Sequence, residues 1–262
     1  MYSMAAPHAK GKSAEDNIFA ANNRAIALAE KIGTENVVNA TVGSILDEDG
    51  SLVVLDVVKE ALSALTPKEM CAYAPIQGYR AFLDACIDQC FGKSRPEGYI
   101  DACSTPGGTG VLHHVVHNYS EVGDEVLISD WHWGAYDSLI DDNNRKVRTF
   151  SLLTEDGHFH AADFKDKVED ILSRQDNIVI ILNGIANNPT GYCLSDEEWQ
   201  AAIDVLKEAV KDETKKAILI PDVAYLDYSG EKEECRRFFR LFGGLPKNIL
   251  TVCAYTLSKG FT

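Results

Sequence analysis

No stretch of the sequence reaches the roughly 18 consecutive apolar residues of a bilayer-crossing helix. Residues 1–12 also lack the apolar centre of a secretory leader. A membrane is therefore not an expected partner. Positive charge is scarce as well: 25 Lys and Arg face 40 Asp and Glu, a formal charge of -15 at pH 7. That balance argues against binding a nucleic-acid backbone or an anionic membrane surface. Any anion the chain binds has to be held by local groups. The seven cysteines, at 71, 86, 90, 103, 193, 235 and 253, are odd in number and include no Cys-x-x-Cys pair. Cys86 and Cys90 stand four apart on an expected helix, where a shared apolar face is the reading preferred to metal ligation. Reduced thiols and a cytoplasmic setting are the expectation.

What is present is an ordinary globular composition, 45% hydrophobic and 25% charged, in 262 residues. That length suffices for one large domain and part of another. Residues 1–12 read as an arm and residues 16–31 as an alanine-rich helix. Residues 37–44 form a mixed run, and 47–50 a turn. Val58, Leu62 and Leu65 make a helical stripe that Pro67 is expected to stop. Tyr73 to Gly78 is a rigid loop, because Pro75 keeps Ala74 extended. The next helix carries Phe82, Cys86 and Cys90 on one face, with Leu83 and Ile87 beside them, and that face reads as core.

Five candidate strands follow, at 125–129, 146–150, 177–183, 217–221 and 249–254. Several are nearly unbroken apolar runs, the pattern of strands covered on both faces, so the sheet is expected to be mostly parallel. Between them, Ser195 and Glu198 have capping-box spacing ahead of the stripe Trp199, Ile203, Leu206 and Val210. A second helix, 164–172, carries Phe164, Val168 and Ile171. The expected fold is α/β, a three-layer α/β/α large domain over residues 51–262, with residues 1–50 an arm and part of a smaller domain.

The polar motifs fall at the carboxyl ends of these strands, where an open parallel sheet keeps its ligand crevice. Thr105-Pro106-Gly107-Gly108-Thr109-Gly110 precedes a helix expected from Val111. Free amides at a helix start hold a phosphate without a basic surface, although such a turn also serves structure alone. The loop has neither the Gly-x-Gly-x-x-Gly of dinucleotide sites nor a Gly-Lys-Ser/Thr ending. Trp131, His132, Trp133 and Tyr136 offer a stacking face for a planar ring or, alternatively, a plug over the strand ends. Asn188 lies in a loop stiffened by Pro189 and Gly191, which is also common turn chemistry. Asp222 ends an expected interior strand, where an acid is costly unless paired; a protonated pyridine nitrogen suits it. Tyr225 follows three residues on. Last comes Thr256-Leu257-Ser258-Lys259-Gly260, a lysine flanked by hydroxyls just past a strand, suited to covalent cofactor chemistry or else a solvated edge.

In this order the motifs resemble the fold type I pyridoxal phosphate enzymes of the aspartate aminotransferase type, over essentially the whole chain. The resemblance implies pyridoxal 5'-phosphate as cofactor. Gly108 and Thr109 would hold its phosphate, touched also by Thr256 and Ser258. Trp133 would stack on the ring, with Trp131 in reserve. Asn188 and Tyr225 would reach the phenolic oxygen, and Asp222 would pair with the ring nitrogen. Lys259 would form the Schiff base and then move the proton. Tyr73 is similar to the tyrosine that crosses a dimer interface to the neighbouring phosphate. Asn39 to Gly43 looks like the family's substrate-side strand, with Gly43 near the substrate carboxylate.

The expected activity is transfer of an amino group between an aromatic or dicarboxylic amino acid and a 2-oxo acid, by a homodimer. A lyase, decarboxylase or racemase on the same cofactor is the alternative, as is a non-catalytic dimerising module. Three departures stand out. Tyr136 occupies the place where aspartate enzymes have a histidine, so the support of Asp222 changes or comes from elsewhere. Lys-Gly-Phe replaces the usual Lys-Asn-Phe. The arginines expected for the phosphate and the substrate carboxylate, with most of the small domain, would lie beyond Thr262; a chain truly ending there is expected to be inactive.

Overall fold

The computed structural model describes residues 4–10, 17–48 and 50–261. The chain divides into two compact units, residues 1–60 and 61–262. Its helices are α1 Asn17–Ile32, α2 Asp56–Ala64, α3 Pro67–Cys71, α4 Arg80–Phe91, α5 Gly107–Tyr119, α6 Ala135–Asp142, α7 Ala161–Leu172 and α8 Asp196–Ala209. The strands are β1 Glu125–Ser129, β2 Lys146–Phe150, β3 Asn177–Leu182, β4 Lys216–Pro221 and β5 Ile249–Thr251. They form one sheet in the order β2-β1-β3-β4-β5, and every pair is parallel.

The unbroken apolar runs make the three layers. Side chains alternate across a strand, so each run supplies both faces. Val126, Ile128, Val179, Ile181, Ile218 and Ile220 pack with Leu112 and Val116 of α5 and Ile140 of α6. Leu127, Ile178, Ile180, Leu182, Ala217 and Leu219 pack with residues of α4, α7 and α8 on the other face. Each fully buried Ile or Leu contributes on the order of 1.5–3 kcal/mol, which is why the three central strands are the rigid frame of the second unit. The expected α/β sandwich with a parallel sheet is the one observed. The capping box forms as read: Ser195 Oγ accepts from the Glu198 amide at 3.2 Å, and Glu198 accepts from the Ser195 amide at 2.9 Å. Trp199, Ile203, Leu206 and Val210 are all buried.

Several local expectations need correction. Helix α5 begins at Gly107 rather than Val111. On α4 the buried stripe is Leu83, Ile87, Cys90 and Phe91, whereas Phe82 is 42% exposed and Cys86 half-buried. The buried line therefore starts one residue later than expected. Pro67 does more than end a helix. It opens α3 at the first helical position, where its missing amide costs nothing, and Thr66 caps it in a capping box with Glu69. Strand β5 stops at Thr251, yet the Val252 and Ala254 amides still donate to the Leu219 and Pro221 carbonyls at 2.9 Å each, so the chain keeps its direction past the sheet.

In the first unit, α1 matches the expected helix, with Asp16 outside the described residues. The arm contributes a 3-10 turn at Pro7–Ala9; residues 1–3, 11 and 12 lie outside the described ones. Leu46 and Leu52 bridge across the expected turn, of which Asp49 is not described. The expected substrate-side strand at 39–43 does not form. Asn39 Oδ1 accepts from the Thr41 amide at 3.3 Å and from its hydroxyl at 2.7 Å, a local turn that competes with sheet pairing.

Candidate active site

The strand order reverses at β1: the chain passes from β1 out to β2, then returns to build β3, β4 and β5 on the other side. A crevice at the carboxyl ends of β1 and β3 is the ligand position of such a sheet. The loops after β1, β3, β4 and β5 carry the motifs there.

Alternation along β4 sends Ile218 and Ile220 toward α5 and α6, and Asp222 continues on that side. Its Oδ2 accepts the hydroxyl of Tyr136 on α6, and its Oδ1 accepts the Ala224 amide at 3.1 Å. Burial pushes the Asp222 carboxyl up from the usual range, against the downward pull of Tyr136 and the Ala224 amide. Burial, then the adjacent carboxylate, holds the Tyr136 phenol well above its own range, so the tyrosine remains the donor. The substituted position thus supports Asp222 directly. Trp133 packs edge-on against Tyr136, with ring centroids 5.8 Å apart, and His132 stacks on it at 6.2 Å. Trp131 is 54% exposed, so the two tryptophans are separated by their surroundings, Trp133 lying with the Asp222 partner.

Two buried amides that sequence reasoning passed over organise the loop after β3. Asn183 Nδ2 donates to the Asp222 carbonyl at 2.9 Å, and its Oδ1 accepts the Asn188 amide at 2.7 Å. Asn187 Nδ2 donates to the carbonyls of Asn183, at 3.1 Å, and Trp131, at 3.2 Å, while its Oδ1 accepts the Thr190 hydroxyl at 2.8 Å. The available signal was two asparagines at the end of an apolar run, since buried amides have to find partners in neighbouring loops. Asn183 ties the loop of Asn188 to the strand end of Asp222.

The other end of the site is the start of α5. Gly108 and Thr109 lie in its first turn, where amides have no intrahelical acceptor, and Pro106 supplies no side-chain cap. Gly110 is required by space: a Cβ there would stand 2.8 Å from Pro106 Cδ. The segment after β5 lies against this helix start. A Cβ on Gly108 would sit 3.7 Å from Thr256 Cβ, and one on Gly107 would sit 4.0 Å from Ser258 Oγ. The Thr256 hydroxyl donates to Ser258 Oγ at 3.1 Å. Lys259 Nζ stands 5.8 Å from the centroid of the Tyr225 ring. Tyr73 is fully exposed and joins none of these groups, and Gly43 belongs to the first unit.

The residues fit pyridoxal phosphate on their own chemistry. An uncapped helix start with two hydroxyls suits a phosphate. A buried carboxylate that, among the described residues, no basic side chain accompanies suits a protonated ring nitrogen, Trp133 offers an aromatic face beside it, and Lys259 offers an amine.

Residues 35–262 match the family described as aminotransferase class I and II. A solved aminotransferase structure from Anaerococcus prevotii superimposes with a TM-score of 0.95 at 37% identity, over 99% of this chain and 64% of that one. The chloroplastic aspartate aminotransferase of Arabidopsis thaliana is 29% identical over 230 residues, 85% of this chain and 49% of its own length. The aromatic-amino-acid aminotransferase of Pseudomonas aeruginosa is 28% identical over 223 residues, 80% and 52% respectively. The chain spans about half the length of these curated relatives.

Proposed function

The chain belongs to the class I and II aminotransferase family, and from that premise we propose that it is the cofactor-binding part of a pyridoxal phosphate-dependent aminotransferase. The substrates would be an aromatic or dicarboxylic amino acid and a 2-oxo acid, and the assembly a homodimer in the cytoplasm, with Tyr73 at the neighbouring subunit's phosphate and Gly43 near the substrate carboxylate. Residues 1–50 would contribute the arm and part of the smaller domain.

The observation that carries the reading is the buried Asp222, held by Tyr136 at the end of β4 with no cationic partner among the described residues. When bound, pyridoxal phosphate supplies an aldehyde that condenses with amines and a ring that takes up electrons from Cα. Asp222 would keep the ring nitrogen protonated, and Tyr136 would keep Asp222 an acceptor. Trp133 would cover one ring face and exclude water from it. Gly108, Thr109, Thr256 and Ser258 would hold the phosphate by amide and hydroxyl donors. Asn188 and Tyr225 would orient the phenolic oxygen. Lys259 Nζ would anchor the cofactor, then take the proton from substrate Cα and deliver it to the cofactor C4'.

Borohydride treatment of the protein with pyridoxal phosphate is expected to leave a stable label on Lys259, read by peptide mass. Lys259→Ala is expected to lose the label and to lower turnover by about 10²- to 10⁴-fold. An unlabelled Lys259, or a variant that still turns over, overturns the reading. Product analysis with and without a 2-oxo acid separates transamination from lyase or decarboxylase chemistry.

A further inference from the structure

The short 3-10 helix Leu226–Tyr228, just past Tyr225, does more than connect. Tyr228 donates its hydroxyl to the Lys259 carbonyl. Asp227 faces the next residue: a Cβ at Gly260 would come within 3.2 Å of Asp227 Oδ2. The carboxylate therefore crowds any side chain at position 260, which gives a local reason for the Lys-Gly-Phe departure.

Asp227 is not free to move aside. Its Oδ1 accepts from Nη2 of Arg236, whose side chain is 0% exposed. The rest of that guanidinium is also engaged. Nε donates to the carbonyls of Gln89, at 3.2 Å, and Cys90, at 3.1 Å, and Nη1 donates to the Lys232 carbonyl at 2.9 Å. Gln89 and Cys90 belong to the last turn of α4, whose carbonyls lack intrahelical donors and favour a cation. Arg236 is buried while Asp227 keeps part of its surface in solvent, and a buried cation persists only with its hydrogen bonds filled; the end of α4 fills those of Arg236. Position thus passes from α4 through Arg236 and Asp227 to Gly260, while Tyr228 fixes the carbonyl one residue before.

The geometry points to Tyr228, Asp227 and Arg236 as positioning residues for Lys259. They hold the backbone at 259 and 260, so that the amine moves on a fixed base. None of the three is assigned contact with cofactor or substrate; they act through the lysine. The inference rests on the proposed role of Lys259, and its test is chosen to stand apart from that role.

Tyr228 is 56% exposed, so Tyr228→Phe removes the hydroxyl without opening a core cavity. Amide hydrogen exchange of the peptide covering 256–261 is to be measured in the cofactor-free protein. Exchange there is expected to rise about fivefold, the loss of one ordinary hydrogen bond, with the peptides of β3 and β4 unchanged. Gly260→Ala, which crowds Asp227, is expected to move the same peptide in the same direction. In the full protein with pyridoxal phosphate, kcat is expected to fall by about the same factor with KM within about twofold. Unchanged exchange in both variants overturns the inference. A wild-type protein that takes no borohydride label on Lys259 overturns the functional reading instead, and the exchange result still decides the positioning.

Discussion

The two ends of the crevice are built on opposite terms. At the Asp222 end the polar groups are buried and partnered by the fold itself: Asp222 by Tyr136 and the Ala224 amide, Asn183 and Asn187 by neighbouring loops. At the α5 end the helix start is uncapped, Thr109 and Ser258 are exposed, and Thr256 is half-buried. The difference has a physical origin. A carboxylate kept inside an apolar layer needs donors that folding provides in advance, or its desolvation is uncompensated. A phosphate brings its own charge and needs only amides left open toward it. In a chain of net charge -15, the second arrangement would let an anion bind without a basic surface.

If this contrast is right, damage at the buried end should act on chemistry and stability together, and damage at the open end on affinity alone. Asp222→Asn is the largest perturbation. Activity with cofactor is expected to drop by about 10³-fold, the scale of losing a preorganised charge in a site. Stability of the cofactor-free protein is expected to move the other way at neutral pH. The folded carboxyl is raised above its unfolded value, so its contribution is most favourable below the unfolded value and is lost as pH rises through the folded one. The asparagine variant should lack that slope and have the higher urea midpoint at pH 7. An equal slope in both proteins would break the comparison.

Tyr136→Phe should come next, and it hits both properties in one direction. The buried Asp222 loses its hydroxyl donor, which costs about 1–3 kcal/mol of stability, read from urea unfolding. Turnover is expected to fall by about tenfold as the carboxylate loses its orientation. Gly108→Ala sharpens the contrast from the open end. Its Cβ meets Thr256 at an ordinary contact distance of 3.7 Å, so stability should hold or gain up to about 1 kcal/mol. Affinity for pyridoxal phosphate should nevertheless fall by about tenfold as the amide is shielded, measured by absorbance titration. A Gly108→Ala protein that unfolds more easily would show that the open end is packed after all.

The layered α/β fold was legible because continuous apolar runs at 178–182 and 217–220 leave little choice but strands covered on both faces. Most of the polar motifs were legible because they sit past such runs, and the glycine-rich one because it opens a helix. Less visible were the features that depend on where a helix begins or which face it presents. The α5 start moved from Val111 to Gly107 because a glycine with φ of +65° enters the first turn where propensity argues against it. The α4 stripe shifted by one residue because the buried cluster that includes Phe239, rather than the cysteine spacing, chose the buried face. At 39–43 an asparagine side chain displaced an expected strand with a local turn.

The sequence by itself determined the order of the motifs, the strands they follow, and the chemical types available: an amine, a carboxylate, aromatic faces and open amides. Only the tertiary structure decided which of them act together. Tyr136 meets Asp222 across 86 residues, Arg236 meets the Cys90 carbonyl across 146, and the hydroxyls after β5 arrive beside the glycines of α5. Those partnerships follow from side-chain alternation in the strands and from which helix covers which face, properties that exist only once the layers are packed.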